Sequence, residues 1–315
     1  MIKSRSLLLP SMAIATTIVV WATAFPAIKL ALGEVQPLPL AAIRYAMAAI
    51  LAMAWLVWKR PRMPARDLVF CAGCGIIAGA AYSVFLNLGQ QTVSAGAASF
   101  LIKTESLWMA FFAVLLLKES FKAWAWAGTA LCVVGVGVIA AAQGGSIAAF
   151  DQGAALVLAA ALCSAAGFSL QRGLVIRYGA LHVAVVSFLA AALALSPWLP
   201  LALEQTSNAS ATTIAWVIFL GLFPTTVGLV CWTYAIGHFG VARAGNFLYL
   251  IAPLATLIAW AIAAEAPRST TILGGALILA GVILVNTRGV AAYPLSEMRR
   301  RGLGRIARRL WLRAP

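Results

Sequence analysis

Ten strongly apolar stretches, each about as long as a helix needs to be to cross a bilayer, follow one another with only short loops between them. They are placed at residues 10–32, 38–58, 67–88, 95–117, 123–141, 152–171, 180–201, 211–235, 241–263 and 270–287. In hydrocarbon every backbone N–H and C=O must find its partner inside the chain, so such a stretch folds as a helix. The pattern predicts an all-α integral membrane protein of ten transmembrane helices, with no room for a soluble domain. Charge content agrees: 10% of residues are charged, against about a quarter in a soluble domain.

The formal net charge of +15 does not mark a nucleic-acid binder, because the basic residues sit at span ends and in one tail and form no folded face. One side of the membrane collects Lys3, Arg5, Lys59, Arg60, Arg62, Arg66, Lys118, Lys122, Arg172, Arg177, Arg243, Arg288 and the Arg-rich tail. The other collects Glu34, Asp151, Glu204, Glu265 and Arg268. Positive residues in short loops stay on the cytoplasmic side, so the expectation is a multi-pass protein of the cell inner membrane with both termini cytoplasmic. The first apolar stretch reads as a span and not as a cleaved signal peptide. In the tail, residues 289–315, Leu303, Ile306, Ala307, Leu310 and Trp311 recur at helical spacing among arginines. That pattern suits a basic amphipathic helix lying on the anionic leaflet, or else a disordered basic tail.

The chain repeats itself. Glu119, Gly128 and Gly135 recur as Glu265, Gly274 and Gly281, at an offset of 146 (265 minus 119), which Gly75 and Gly221 share. A one-residue slip then aligns Phe100-Leu101 with Phe247-Leu248. The expected organisation is a first five-span repeat at 1–143, a second at 144–288, and the tail. Five is odd, so the second half enters from the opposite face. Inverted halves of this kind are a transporter architecture with a site near the midplane.

These residues resemble the drug/metabolite transporter superfamily in its ten-span EamA-type branch. The resemblance is carried by WATAFPAIK at Trp21 to Lys29, by Pro37 and Arg44, and by LKESFKAWAWAGTALCVVGVGVI at Leu117 to Ile139. It is carried again by AAEAPRSTTILGGALILAGVILV at Ala263 to Val285. Pro253 precedes Glu265 by twelve residues, where the family commonly has proline, and the first half departs from this with Leu107. The resemblance implies a secondary exporter or exchanger of small molecules, with YddG-type amino-acid exporters among its relatives. It allows a monomer or a homodimer.

An ionisable group inside the membrane is costly and faces a partner or water. Four qualify: Lys29, Arg44, Lys103 and Glu105. Lys103 and Glu105 lie near mid-depth and, two apart on a helix, point about 200° apart. One is expected to line a cavity while the other pairs, with Arg44 a candidate partner for Glu105. Alternatively Arg44 and Glu105 simply hold two spans together, and Lys29 snorkels to the interface. Trp21, Phe25, Tyr82, Trp108, Phe168, Asn246 and Tyr249 fall at cavity depth and complete the candidate substrate-binding set, with core packing as the competing role. Cys71, Cys74, Cys132, Cys163 and Cys231 lie in apolar runs and read as packing residues. His182 and His238 show no partner pattern.

No nucleophile–base set, phosphate loop or metal-ligand spacing is present, so the expectation is not an enzyme, with no cofactor and no metal. The partners implied are a small-molecule substrate and the lipid bilayer. Amino acids moved by alternating access are the favoured cargo. Phosphorylated or other anionic metabolites or drugs come next, since three of the four intramembrane charges are positive. A lipid-acting enzyme and a non-transporting scaffold or sensor are the readings from other classes.

Overall fold

The computed structural model describes residues 8–59, 62–117, 123–144, 152–239, 247–285 and 287. Glu119, Arg243, Asn246, His238's side chain and the basic tail, all singled out above, lie outside the described residues or side chains. Among the described residues there is no strand, and ten apolar helices make up the chain. They are α1 (Leu8–Ala31), α2 (Pro37–Lys59), α3 (Ala65–Gly89), α4 (95–117), α5 (Ala123–Gly144), α6 (Gln152–Tyr178), α7 (Ala180–Asn208), α8 (211–239), α9 (Leu248–Ala263) and α10 (Ser269–Leu284). Six of these, α1, α2, α3, α6, α7 and α8, contain stretches long and apolar enough to cross a membrane on length and composition alone; α5, α9 and α10 contain shorter apolar stretches.

Local chemistry sets the ends. Pro37 and Pro39 open α2, where a missing N–H costs nothing. Ser94 and Ser210 cap α4 and α8, their hydroxyls accepting from the N–H of Ala97 and Thr213. A single residue, Gly179 at φ 86°, turns α6 into α7.

Helices α3, α4, α8 and α9 are irregular, and at matching places. A π-helical turn interrupts α3 at Ile76–Ala81 and α8 at Phe223–Val227. A 3₁₀ turn interrupts α4 at Ile102–Thr104 and leads α9 at Leu248–Leu250, which is the repeat offset of 146. The one-residue slip read from Phe100-Leu101 is therefore not needed at this break. Proline follows only the second copy, at Pro253, and Leu107 follows the first, so the proline is not what breaks the helix.

The pairing of α5 with α10 reveals how the halves are related. A Cβ on Gly135 would stand 2.6 Å from the carbonyl oxygen of Gly274, and one on Gly274 would stand 2.7 Å from that of Gly135. Gly128 and Gly281 meet reciprocally in the same way. Between them Cys132 donates its thiol to the carbonyl of Ile278 at 3.3 Å. Numbers rise along one helix as they fall along the other, so the helices are antiparallel. Each glycine faces the repeat counterpart of the other, and Cys132 faces its own counterpart. That is the signature of a two-fold axis through the Cys132–Ile278 contact, perpendicular to the helices and hence in the membrane plane. The other contacts obey it: α1 packs on α8 and α9 as α6 packs on α3 and α4, while α2 packs on α7.

The two ends of the bundle differ. On the acidic side, Lys29 donates its ammonium to the carbonyls of Gln90, Gln91 and Val93 at 2.7, 3.2 and 3.3 Å. It does not merely snorkel: it caps the C-terminal end of α3, where cations are favoured. Glu265 accepts from the Ala95 N–H at 2.8 Å, so this acid serves the N-terminus of α4 and not that of its own α10. Glu34 accepts from the Ser210 N–H, the Ser210 hydroxyl and the Thr213 hydroxyl at 2.6, 2.6 and 2.8 Å, tying the α1–α2 turn to α8. On the basic side Asp67 accepts from Arg177 at 2.7 Å and Tyr178 at 2.5 Å. His182 packs its ring 6.0 Å from Trp55 and 5.8 Å from Tyr178, partners that its sequence neighbourhood did not announce.

The Glu34 cluster carries a pH prediction. Donation by Ser210 and Thr213 holds its carboxyl below the ordinary carboxylate range. The native carboxyl thus binds its proton less readily than the unfolded one, and its contribution is complete at neutral pH. It is lost as pH falls through that depressed value. Glu34→Gln should lower the neutral plateau of the melting temperature and flatten its acidic limb, the variant and the wild type converging at low pH. A variant with the wild-type acidic limb would remove Glu34 from that role.

Candidate substrate site

Helix α4 packs differently on either side of its 3₁₀ turn. Every residue from Ala95 to Leu101 is buried. Ser99 donates to the Ala252 carbonyl of α9 at 3.2 Å, Gly96 lies against Thr256, and the ring of Phe100 lies against Gly275. Past the turn the packing opens: Glu105, Ser106, Leu107 and Trp108 are half-buried, and Met109 and Phe111 are exposed. Along α4, the acidic-side half is tightly packed and the basic-side half is the more exposed.

The charged residues gather just at this transition. Lys103 sits in the 3₁₀ turn and Glu105 begins the helix after it. Glu105 accepts a hydrogen bond from the Ser164 hydroxyl of α6 at 2.9 Å, which carries the site across from one half to the other. Tyr82 lies within electrostatic reach of both Glu105 and Arg44. Lys103, Glu105 and Tyr82 are half-buried, and Tyr82 and Lys103 lie within electrostatic reach of Glu105. A 3₁₀ turn has poorer hydrogen-bond geometry than the α-helix around it, and such irregularity is tolerated at membrane depth where it faces protein or a wet cavity.

Arg44 is the outlier. It is 8% exposed, and its Nε and Nη1 have no hydrogen-bond partner among the described residues. The expected pairing with Glu105 is not formed: Glu105 is held by Ser164 instead, and the ion pair found among the described residues is Arg177–Asp67. A guanidinium offers five fixed donors, and leaving a buried one unmet costs about 1–3 kcal/mol or more for a charged group. Arg44 is thus a buried cation with two donor atoms unmet among the described residues.

The remaining candidates divide. Trp108 stands one turn beyond Glu105, edge-on to Phe111 at 6.4 Å. Phe168 stands one turn beyond Ser164 on α6 and is exposed. Both can flank a bound side chain. Tyr249 occupies the position of Lys103 in the second copy of the break and is half-buried. Trp21 is engaged by α8. Its indole N–H donates to the carbonyl of Pro224 at 2.9 Å, inside the π turn of α8, and its ring meets Trp232 at 5.8 Å. Phe25 is a core residue at 6% exposure. Sequence reasoning missed Ser164 and Tyr45. A lone serine in an apolar span is a weak signal, and Tyr45 reads as Arg44's neighbour until its hydroxyl is seen accepting from Ser83 at 3.4 Å.

The model of the EamA-like transporter family matches residues 9–141 and again 151–287. The chain belongs to the EamA-like transporter family. It is a multi-pass membrane transporter of small molecules and not an enzyme. It is 36% identical over 280 residues to a probable terminal-alkyne amino-acid exporter of Streptantibioticus cattleyicolor, covering 88% of this chain and 93% of that one. A probable amino-acid metabolite efflux pump of Salmonella typhimurium is 26% identical, over 85% and 91% of the two chains. An uncharacterized inner membrane transporter of Escherichia coli, YedA, is 24% identical over 88% and 90%. A crystal structure superposes with a TM-score of 0.57 at 21% identity, covering 88% of this chain and 96% of the other, and shares the fold.

Proposed function

We propose that this EamA-type transporter exports or exchanges small amino acids by alternating access between its inverted halves. The observation that carries the reading is Arg44, buried with two donors unmet among the described residues and within electrostatic reach of Tyr82, which in turn is within reach of the Ser164-held Glu105. An α-amino acid supplies what each group lacks. Its carboxylate accepts from the Arg44 fork in the bidentate geometry that guanidinium favours, and its ammonium donates to Glu105. Trp108 and Phe168 then flank the side chain. The names of the exporter from Streptantibioticus and the efflux pump from Salmonella support the same cargo class. Basic residues on one side support the cell inner membrane, with both termini cytoplasmic and the site facing the cytoplasm in the state described.

A second reading has its own observation: Lys103 lies within electrostatic reach of Glu105, and Arg44, near Tyr82, adds a second cation, so a net anionic metabolite also balances the site. Uptake of labelled amino acids into proteoliposomes tests the first, with sugar phosphates and dicarboxylates as competitors. Glu105→Ala with Lys103→Ala should lose saturable amino-acid uptake. Wild-type uptake by that double variant would remove the site assignment, and competition by the anions alone would favour the second reading.

A further inference from the structure

Above the site, toward the acidic side, α3 carries a buried polar face. Ser83, Asn87 and Gln90 recur at i, i+4 and i+7, which places them on one stripe. Their exposures are 1%, 0% and 0%. At its lower end Ser83 donates to the Tyr45 hydroxyl, next to Arg44. At its upper end Lys29 binds the Gln90 carbonyl. Seven residues at 1.5 Å each span about 10 Å, so the stripe connects the site to the tightly packed acidic-side end.

Packing does not require this polarity. The repeat counterparts of the three residues in α8 are Leu229, Thr233 and Ile236. Nor do the hydrogen bonds account for all of it. The Asn87 amide donates to the Pro37 carbonyl at 2.9 Å and the Gln90 amide to the Phe25 carbonyl at 3.0 Å, which pins α3 to α2 and α1. Their acceptor oxygens, Asn87 Oδ1 and Gln90 Oε1, are buried with no partner among the described residues. A clamp uses the donors alone. Two unmet acceptors on a buried face suit a surface that is wet for part of the working cycle.

We propose that the Ser83–Asn87–Gln90 face of α3 is the acidic-side half of the permeation route, shut in the state described and lined with water and cargo in the opposite one. The proposal rests on the alternating-access reading. The seal above it is made of polar contacts that water can replace: Lys29 on the α3 carbonyls, Glu265 on the Ala95 N–H and Glu34 on Ser210. Opening needs these exchanged and the Ser99–Ala252 contact of α4 and α9 parted.

Single cysteines test it in a chain whose Cys71, Cys74, Cys132, Cys163 and Cys231 are replaced. Asn87→Cys and Ser83→Cys are made separately, so that one carries the test if the other does not fold, with Leu229→Cys as the control. A membrane-impermeant charged maleimide is added from the acidic side. A minor conformer is populated at about 0.1–10%, so labelling at rest should be slow, and an amino-acid gradient that drives turnover should speed it about tenfold or more. Leu229→Cys should stay unlabelled. Asn87→Cys and Ser83→Cys proteins that transport yet remain unlabelled overturn the proposal, as does equal labelling of Leu229→Cys. If the cysteine-free parent moves no amino acid but Asn87→Cys still labels from the acidic side, the route stands and the cargo assignment falls.

Discussion

Replacing Arg44 by methionine is expected to abolish amino-acid transport while the protein melts no lower than wild type. The two halves of this expectation have one cause. Nε and Nη1 of Arg44 are buried and unpartnered among the described residues, so the empty protein bears the cost of a desolvated cation without return. A methionine of similar length removes that cost, and swapping a buried charge for a well-packed apolar group is often neutral or stabilising. Transport depends on the same unmet donors. Two charge-assisted bonds to a carboxylate at about 1.5–3 kcal/mol each amount to roughly a 10²–10⁴-fold loss of apparent affinity at about 1.4 kcal/mol per tenfold. Flux and a thermal melt in detergent, measured on one preparation, decide it. A melting temperature that drops together with flux would make Arg44 a structural pin of α2, and wild-type affinity would exclude it from the site.

The second large effect lies at the two-fold axis. Gly135→Ala should lower stability by about 1–3 kcal/mol or more, the range for forced overpacking. Its new methyl meets the Gly274 carbonyl at 2.6 Å and Ile278 Cγ1 at 2.9 Å, and a backbone oxygen cannot step aside without separating α5 from α10. Gly137→Ala, two residues along the same helix, is the control. Nothing lies within 4 Å of a Cβ there, so alanine should be neutral or add about 0.5–1 kcal/mol through helix propensity. Gly135→Ala combined with Gly274→Ala should cost less than the sum, because helices already forced apart are not forced apart twice. Equal melting temperatures for Gly135→Ala and Gly137→Ala would refute the close crossing.

Much of the architecture is legible along the chain. Backbone groups in hydrocarbon leave few choices, so apolar length locates the helices. Repeated glycines mark α5 and α10 as counterparts, but that these two helices cross closely, glycine against glycine, is seen only in the structure. The intramembrane charges announce a site, because their cost demands a reason. Their partners are not legible. Arg44 and Glu105 look like a pair by charge and depth, yet the 3₁₀ turn at Ile102–Thr104 aims Glu105 at Ser164 on a helix from the other half. Trp21 reads as a cavity wall, yet the π turn of α8 frees the Pro224 carbonyl that claims its N–H. A helical wheel assumes the regular turn that these segments abandon.

That the chain lives in a bilayer, that it is doubled and inverted, and that a few of its charges are too costly to be incidental can all be read from the residues in order. Each of those follows from hydropathy, parity and periodicity, which are properties of the chain read along its length. Which charge lacks a partner among the described residues, which end of α4 is tightly packed, and which polar face of α3 is hidden emerge from the fold alone. Those depend on where helices distant in sequence come within about 3 Å of one another, and no pattern within a single helix encodes that distance.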